Sequence, residues 1–279
     1  MTGMVQLPED RSLPTGFVRE TPPGQPAVPK DAATVMLLRN GATGPEVFLQ
    51  RRVKGMPFAG GMTVFPGGGV DQRDADASVA WSGPDAGWWA ERFGCSPDAA
   101  RALVCAAVRE TFEESGVLLA GADRTTVVGD TSRYADARAA LVSREVSLAK
   151  FLADEGLVVR ADLLRPWANW VTPEREPRRY DTRFFLAALP EGQRADAVTT
   201  EAAEAYWATP KQVLEDFEQG RCYLLPPTRV TLSELAECGS LPTAFAAERT
   251  LDKILPKLVR RNDRWHAVLP GEPGFKEAK

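Results

Sequence analysis

The segment Ser96-Pro97-Asp98 through Gly116 decides how the rest of the chain is read, above all its end, Arg109-Glu110-Thr111-Phe112-Glu113-Glu114-Ser115-Gly116-Val117. A serine followed by a proline and an acid is a helix start. The hydroxyl caps free N–H groups, the fixed φ of proline suits the first turn, and the acid meets the positive end of the helix. Gly116 is the matching stop, because glycine readily takes the left-handed conformation that closes a helix. At about 100° per residue, Glu110, Glu113 and Glu114 share one face, and Val104, Val108 and Phe112 form an opposite face that should pack into a core. Arg109 stands one turn before Glu113, close enough to hold that carboxylate. Three carboxylates on one face repel one another unless a cation lies between them, and hard oxygen donors suit Mg²⁺ or Mn²⁺. A solvated acidic face has the same spacing, so the helix alone leaves both readings open.

On the N-terminal side, Ala33–Leu38 and Glu46–Arg51 read as strands joined by the turn Asn40–Pro45, and Met62–Phe65 as a third strand ended by Pro66-Gly67-Gly68-Gly69. Residues 1–30, with Pro8, Pro14, Pro22, Pro23, Pro26 and Pro29, read as an extended arm. On the C-terminal side, residues 131–155 read as two helices, the second capped by Ser147 and ended by Gly156. Trp167–Thr172 and Thr182–Leu189 read as strands flanking the charged turn Pro173–Asp181. One further helix is expected after Thr209-Pro210 and another over Ala244–Val259. With no repeat and no long linker, one elaborated α/β domain over residues 31–260 is the economical reading, with insertions at about 75–95 and 123–165 and a tail at 261–279.

The composition narrows the chemistry. Among 279 residues there are 34 Lys and Arg against 38 Asp and Glu, a net charge of −4, which does not favour nucleic acid as the main partner. His266 is the only histidine, so Ser-His-Asp, Cys-His and multi-histidine metal chemistry are disfavoured. Cys95, Cys105, Cys222 and Cys238 have no C-x-x-C spacing and fit a reducing compartment. No apolar run is long enough to span a membrane, and the N-terminus lacks a secretory pattern, so a cytoplasmic protein is expected. The ending Glu277-Ala278-Lys279 is not a peroxisomal tripeptide.

Phe65-Pro66-Gly67-Gly68-Gly69 together with Arg109–Val117 resembles the two ends of the Nudix box, G-x5-E-x7-R-E-U-x-E-E-x-G-U, where U is aliphatic. From Gly68 the count reaches Asp74 where the family has Glu. Residues 75–108 then stand in place of seven, and Thr111 stands at an aliphatic position. The resemblance implies an α/β/α sandwich with a mixed β-sheet and added helical insertions. It also implies metal ligands at Glu110, Glu113, Glu114 and Gly67, with Arg109 beside them. Many members add an acid shortly before a Trp-containing strand, a place held here by Glu201 or Glu204 ahead of Trp207.

The split box resembles a branch that includes peroxisomal coenzyme A diphosphatases, as do Trp170–Pro173, Arg178–Leu186 and Leu225–Thr228. The coenzyme A signature is matched at Leu49, Arg52, Gly61, Phe65, Pro66, Gly67 and Gly68, but Gln50, Val53 and Pro57 replace its Thr, Ser and second Arg. On this resemblance Arg52, Phe65 and Gly68 contact substrate, and Arg178, Arg179 and Arg183 are candidates for its outer phosphates. Trp81, Trp88 and Trp89 of the insertion either meet a base or anchor the insertion. The implied activity is Mg²⁺- or Mn²⁺-dependent cleavage of a diphosphate in a nucleotide-type small molecule. Coenzyme A or an acyl derivative would give 4′-phosphopantetheine and adenosine 3′,5′-bisphosphate. ADP-ribose, NADH, a dinucleoside polyphosphate and an RNA cap are alternatives, as is a non-catalytic nucleotide-binding regulator. A homodimer is the ordinary expectation for such an enzyme.

Overall fold

β1 (Lys30–Asn40) and β2 (Pro45–Arg52) pair antiparallel, with Leu38 opposite Val47 and Asn40 opposite Pro45. The computed structural model describes residues 25–56, 59–199, 201–261 and 264–276. Pro8, Pro14, Pro22 and Pro23 of the expected arm lie outside the described residues, as do Pro57 and Glu277-Ala278-Lys279. On β1, Ala33, Val35 and Leu37 join one buried cluster and Met36 and Leu38 another. Its central run Val35–Leu38 is continuously apolar because both faces of the sheet are covered there.

The chain continues through β3 (Thr63–Val64), β4 (Gly67–Gly69), β5 (Trp81–Ser82), α1 (Ala86–Phe93), α2 (Pro97–Ser115) and β6 (Ala120–Gly121). Next come α3 (Ala135–Val142), α4 (Leu148–Asp154), β7 (Val158–Arg160), β8 (Leu164–Val171), β9 (Tyr180–Ala188) and β10 (Ala202–Ala208). The last elements are α5 (Pro210–Glu218), α6 (Pro226–Cys238), α7 (Leu241–Ala246), β11 (Lys253–Ile254), β12 (Lys257–Arg261) and β13 (Arg264–Val268). The main sheet runs β10-β2-β1-β9-β8-β11, with β3 paired to β2 and β4 to β1. β1/β9 and β8/β11 are parallel and the other pairs antiparallel, so the sheet is mixed. α1 and α2 pack with one face through Trp89, Leu103, Val108 and Phe112; α5, α6 and α7 pack with the other through Val213, Leu232 and Ala244. This is the expected α/β/α sandwich.

α2 begins and ends where its sequence says. Ser96 accepts a hydrogen bond from Ala99 N, and Gly116 closes the helix at φ 74°. The insertion after β4 is anchored by its aromatics. Trp89 is fully buried, with its ring 5.5 Å from Phe93 and 5.6 Å from Phe185, and Arg92 lies over the Trp88 ring. A small sheet, β5-β7-β6, ties this insertion to the second one.

The helix expected over Ala244–Val259 does not form. α7 stops at Ala246, Lys253 and Ile254 pair with Asn169 and Trp170 of β8, and β12 and β13 make a hairpin. Pro256 has no N–H to donate within a helix, and pairing with β8 satisfies the neighbouring backbone. The hairpin also crosses the expected boundary at residue 260. Among the described residues, no helix is long and apolar enough to cross a membrane.

Candidate active site

The site is built where α2 passes behind the glycine strand β4. β4 runs antiparallel to the start of β1, Gly67 opposite Thr34 and Gly69 opposite Ala32. At Gly67 only glycine fits, and at Gly68 a side chain would displace Glu110. A Cβ on Gly67 would lie 2.4 Å from Ala33 O, and one on Gly68 would lie 2.6 Å from the Glu110 carboxyl carbon. The missing side chain at Gly68 therefore lets Glu110 lie directly against the strand.

Arg109 organises the acids. Its Nε and Nη2 donate to the two oxygens of Asp74, each at 2.9 Å, and Nη2 also donates to Gly69 O at 3.0 Å. Its Nη1 donates to Glu110 Oε1 at 2.8 Å and to Glu113 Oε1 at 3.3 Å. Asp74, the shorter acid at the family's Glu position, is only 2% exposed and forms the fork-to-fork pair that fixes the guanidinium. Thr111, at the aliphatic position, is fully buried and turns its hydroxyl to Ala107 O at 2.7 Å, leaving its methyl group to the core. Glu114 accepts from Gly67 N at 2.9 Å, which joins the end of α2 to β4.

Electrostatically the cluster carries excess negative charge. Burial pushes Glu110 up to about 7, with Arg109 opposing and Glu113 adding to the shift. Burial likewise raises Glu113, against the pull of Arg109. It raises Glu114 well above the usual range, reinforced by the charge of Glu110 and opposed by the Gly67 N–H. Burial alone would weaken the charge on Arg109, but Asp74, Glu110 and Glu113 more than restore it. As the side chains stand, no three metal-ligating groups among the described residues surround one point. Their oxygens are turned to Arg109 and Gly67 N instead. The donor set nevertheless fits a hard divalent cation: it is all oxygen, with Asp74, Glu110 and Glu113 around a single guanidinium and Glu114 beside them on Gly67 N.

A cavity of about 450 Å³ opens from this cluster. Gly67, Gly68, Phe65, Glu110, Arg52, Arg178 and Glu201 of the expected residues line it. Arg52 Nη2 pairs with Glu201 at 2.8 Å, and its Nε is buried without a hydrogen-bond partner. The other expected residues do not line it. Glu204 pairs with exposed Arg51 at 2.6 Å, so of these two acids it is Glu201 that lines the cavity. Arg179 is buried and donates to Thr172 O and Ala27 O, where it staples the β8–β9 turn to the segment before β1. Arg183 is buried against Asp181 and Asp31. Nor do Trp81, Trp88 and Trp89 reach the cavity. Sequence reasoning missed Pro256, Leu258 and Ala267, which line the cavity from a segment read as helix and tail.

A carboxylate helix clamped through Arg109 behind a glycine strand, on a mixed sheet with helices on both faces, defines a Nudix fold and site. The model of the NUDT19 Nudix domain matches residues 90–235, and the chain belongs to the Nudix family. The chain is 29% identical over 211 residues to a protein of Caenorhabditis elegans named putative nudix hydrolase 7, covering 75% of this chain and 61% of that protein. It is 29% identical over 282 residues to the acyl-coenzyme A diphosphatase NUDT19 of Gallus gallus, covering 83% of this chain and 72% of that one. The crystal structure of a NUDIX hydrolase from Alicyclobacillus acidocaldarius superposes with a TM-score of 0.68 at 29% identity, covering 81% of this chain and 99% of that one. The branch expected from the split box is thus the one matched.

Proposed function

We propose that this chain hydrolyses the diphosphate linkage of a nucleotide-type small molecule, with coenzyme A or an acyl derivative as substrate. The observation that carries the reading is the Asp74–Arg109 clamp, which holds Glu110 against Gly68 at the mouth of the cavity. Vertebrate relatives named acyl-coenzyme A diphosphatase support the choice of substrate. The diphosphate would lie along β4. Arg52, with its unpartnered Nε, and Arg178 are the cationic side chains of the cavity that can bind its oxygens. Glu110, Glu113, Glu114 and the carbonyl of Gly67 would hold Mg²⁺ or Mn²⁺, which when bound neutralises phosphate charge and acidifies water. Glu201, which lines the cavity beside Arg52, would take the proton from the water that attacks phosphorus in line with the leaving phosphate. As phosphate draws Arg52 away, the carboxylate paired with it is released for that work.

A non-catalytic nucleotide binder would have no use for a complete glutamate set with its clamp. The test is a panel of diphosphates (coenzyme A, acyl-coenzyme A, ADP-ribose, NADH, a dinucleoside tetraphosphate and capped RNA) incubated with Mg²⁺, with products identified by mass. The expected products from coenzyme A are 4′-phosphopantetheine and adenosine 3′,5′-bisphosphate. Preferential cleavage of another member would replace this substrate, and cleavage of none would end the hydrolytic reading.

A further inference from the structure

The cavity has a second end. Its floor includes a row of lateral neighbours across four strands, Gly69 of β4, Ala32 of β1, Thr182 of β9 and Trp170 of β8. Three strand spacings make this row about 14 Å long, on the order of four residues of extended chain. Glu110 lies at the β4 end, and Thr172, Glu176, Arg178 and Tyr180, at and around the β8–β9 turn, add further polar lining. At the β8 end the chain turns over the floor: β11 pairs Ile254 with Trp170, Pro256 follows, and the hairpin begins. Leu258 and Ala267 stand opposite each other on that hairpin, are 5% and 4% exposed, and line the cavity. This wall lies outside residues 90–235, the part that matches the family model.

We propose that the C-terminal hairpin, through Leu258 and Ala267, is the specificity-determining wall for an apolar arm carried on the substrate. The inference rests on the reading of the site as a diphosphate hydrolase. With the diphosphate at β4, the arm runs across the sheet over Thr182 and Trp170 and ends beneath the hairpin. A substrate with no arm leaves that end empty. The hairpin therefore sets preference among diphosphates without touching the reacting phosphorus.

The experiment titrates the full chain with S-butyryl- and S-octanoyl-4′-phosphopantetheine by calorimetry, in parallel with turnover of ADP-ribose and of octanoyl-coenzyme A. A buried methylene strengthens binding by about fourfold, so the octanoyl probe should bind wild-type protein at least tenfold more tightly. Ala267→Trp fills the wall and should cut that gain below threefold. It should lower kcat/KM for octanoyl-coenzyme A about tenfold and leave turnover of ADP-ribose, if it is cleaved, within threefold. Leu258→Ala, which opens the wall instead, should also reduce the gain and serves if the tryptophan variant does not fold. A tenfold gain that survives both changes, or a wild-type protein with no gain, overturns the proposal. A chain-length gain in a protein that cleaves no diphosphate would support the wall and remove the hydrolytic reading, so the two failures are separable.

Discussion

Gly68 has no side chain, and Glu110 uses the space. A Cβ there would meet the Glu110 carboxyl at 2.6 Å, so Gly68→Ala should displace one candidate ligand while leaving the fold. The expected result is a fall in kcat of about a hundredfold with little change in melting temperature; an unchanged kcat would show that Glu110 need not lie against β4. Arg109 is only 9% exposed and depends on Asp74 for its charge balance. Asp74→Ala leaves a buried guanidinium with less compensation and should destabilise the protein by about 3–5 kcal/mol in urea titration. A loss below about 1 kcal/mol would mean that water replaces the carboxylate. These two contacts also explain a mismatch in the sequence. Asp74 reads as a poor substitute for Glu because the insertion hides how near its carboxylate lies to Arg109, 35 positions along the chain.

At the scale of elements, α2 was legible almost to the residue, because capping by Ser96 and closure by Gly116 are local events. β1 and β2 were legible for the same reason: their pairing spans one short turn. β11 and the C-terminal hairpin were not, and β10 was legible only through the family resemblance, as the strand that carries Trp207. β10 and β11 each pair with a strand far off in sequence, and around the hairpin Leu251, Ile254 and Leu258 recur at intervals of three and four, as in a helix. α6 was hidden by Pro226-Pro227, which read as a motif although proline suits a first helical turn. Glu201 and Glu204 could not be told apart in the sequence, since the pairing of β10 with β2 decides which of them lines the cavity. One element also carries a prediction. Arg138 of α3 donates to Glu113 O and Val198 O and pairs with Asp196, fastening the segment before Glu201 to the end of α2. Arg138→Ala should release that segment and lower kcat about tenfold, while Lys at the same position recovers part of the loss. Steady-state kinetics of both variants decide it, and full activity in the alanine variant would detach Arg138 from the site.

For the whole molecule, the sheet brings four carboxylates and one guanidinium together between α2 and β4, and their charge leaves a mark on stability. Glu110, raised to about 7, holds a proton in the folded chain at pH values where the unfolded chain has lost it. The metal-free protein should therefore lose stability as pH rises from about 4.5 to 7, by roughly 3 kcal/mol from this group. On the proposed reading Mg²⁺ would take the place of that proton, so it should raise the melting temperature in calorimetry more at pH 8 than at pH 5. A chelated protein equally stable at both pH values would argue that the cluster is solvated and needs no cation.

On the function proposed for this chain, the glutamates of α2 perform Mg²⁺-dependent hydrolysis of a diphosphate. Its most direct measurement is turnover of the best substrate of the panel by wild type and by Glu114→Gln, each with Mg²⁺ and with chelator. Glu114 is nearly buried and accepts from Gly67 N, a bond the amide oxygen can keep, so the variant should remain folded. The variant and the chelated wild type alike should lose at least a thousandfold in kcat. Turnover by Glu114→Gln at the wild-type rate, or wild-type turnover indifferent to the chelator, would contradict that function.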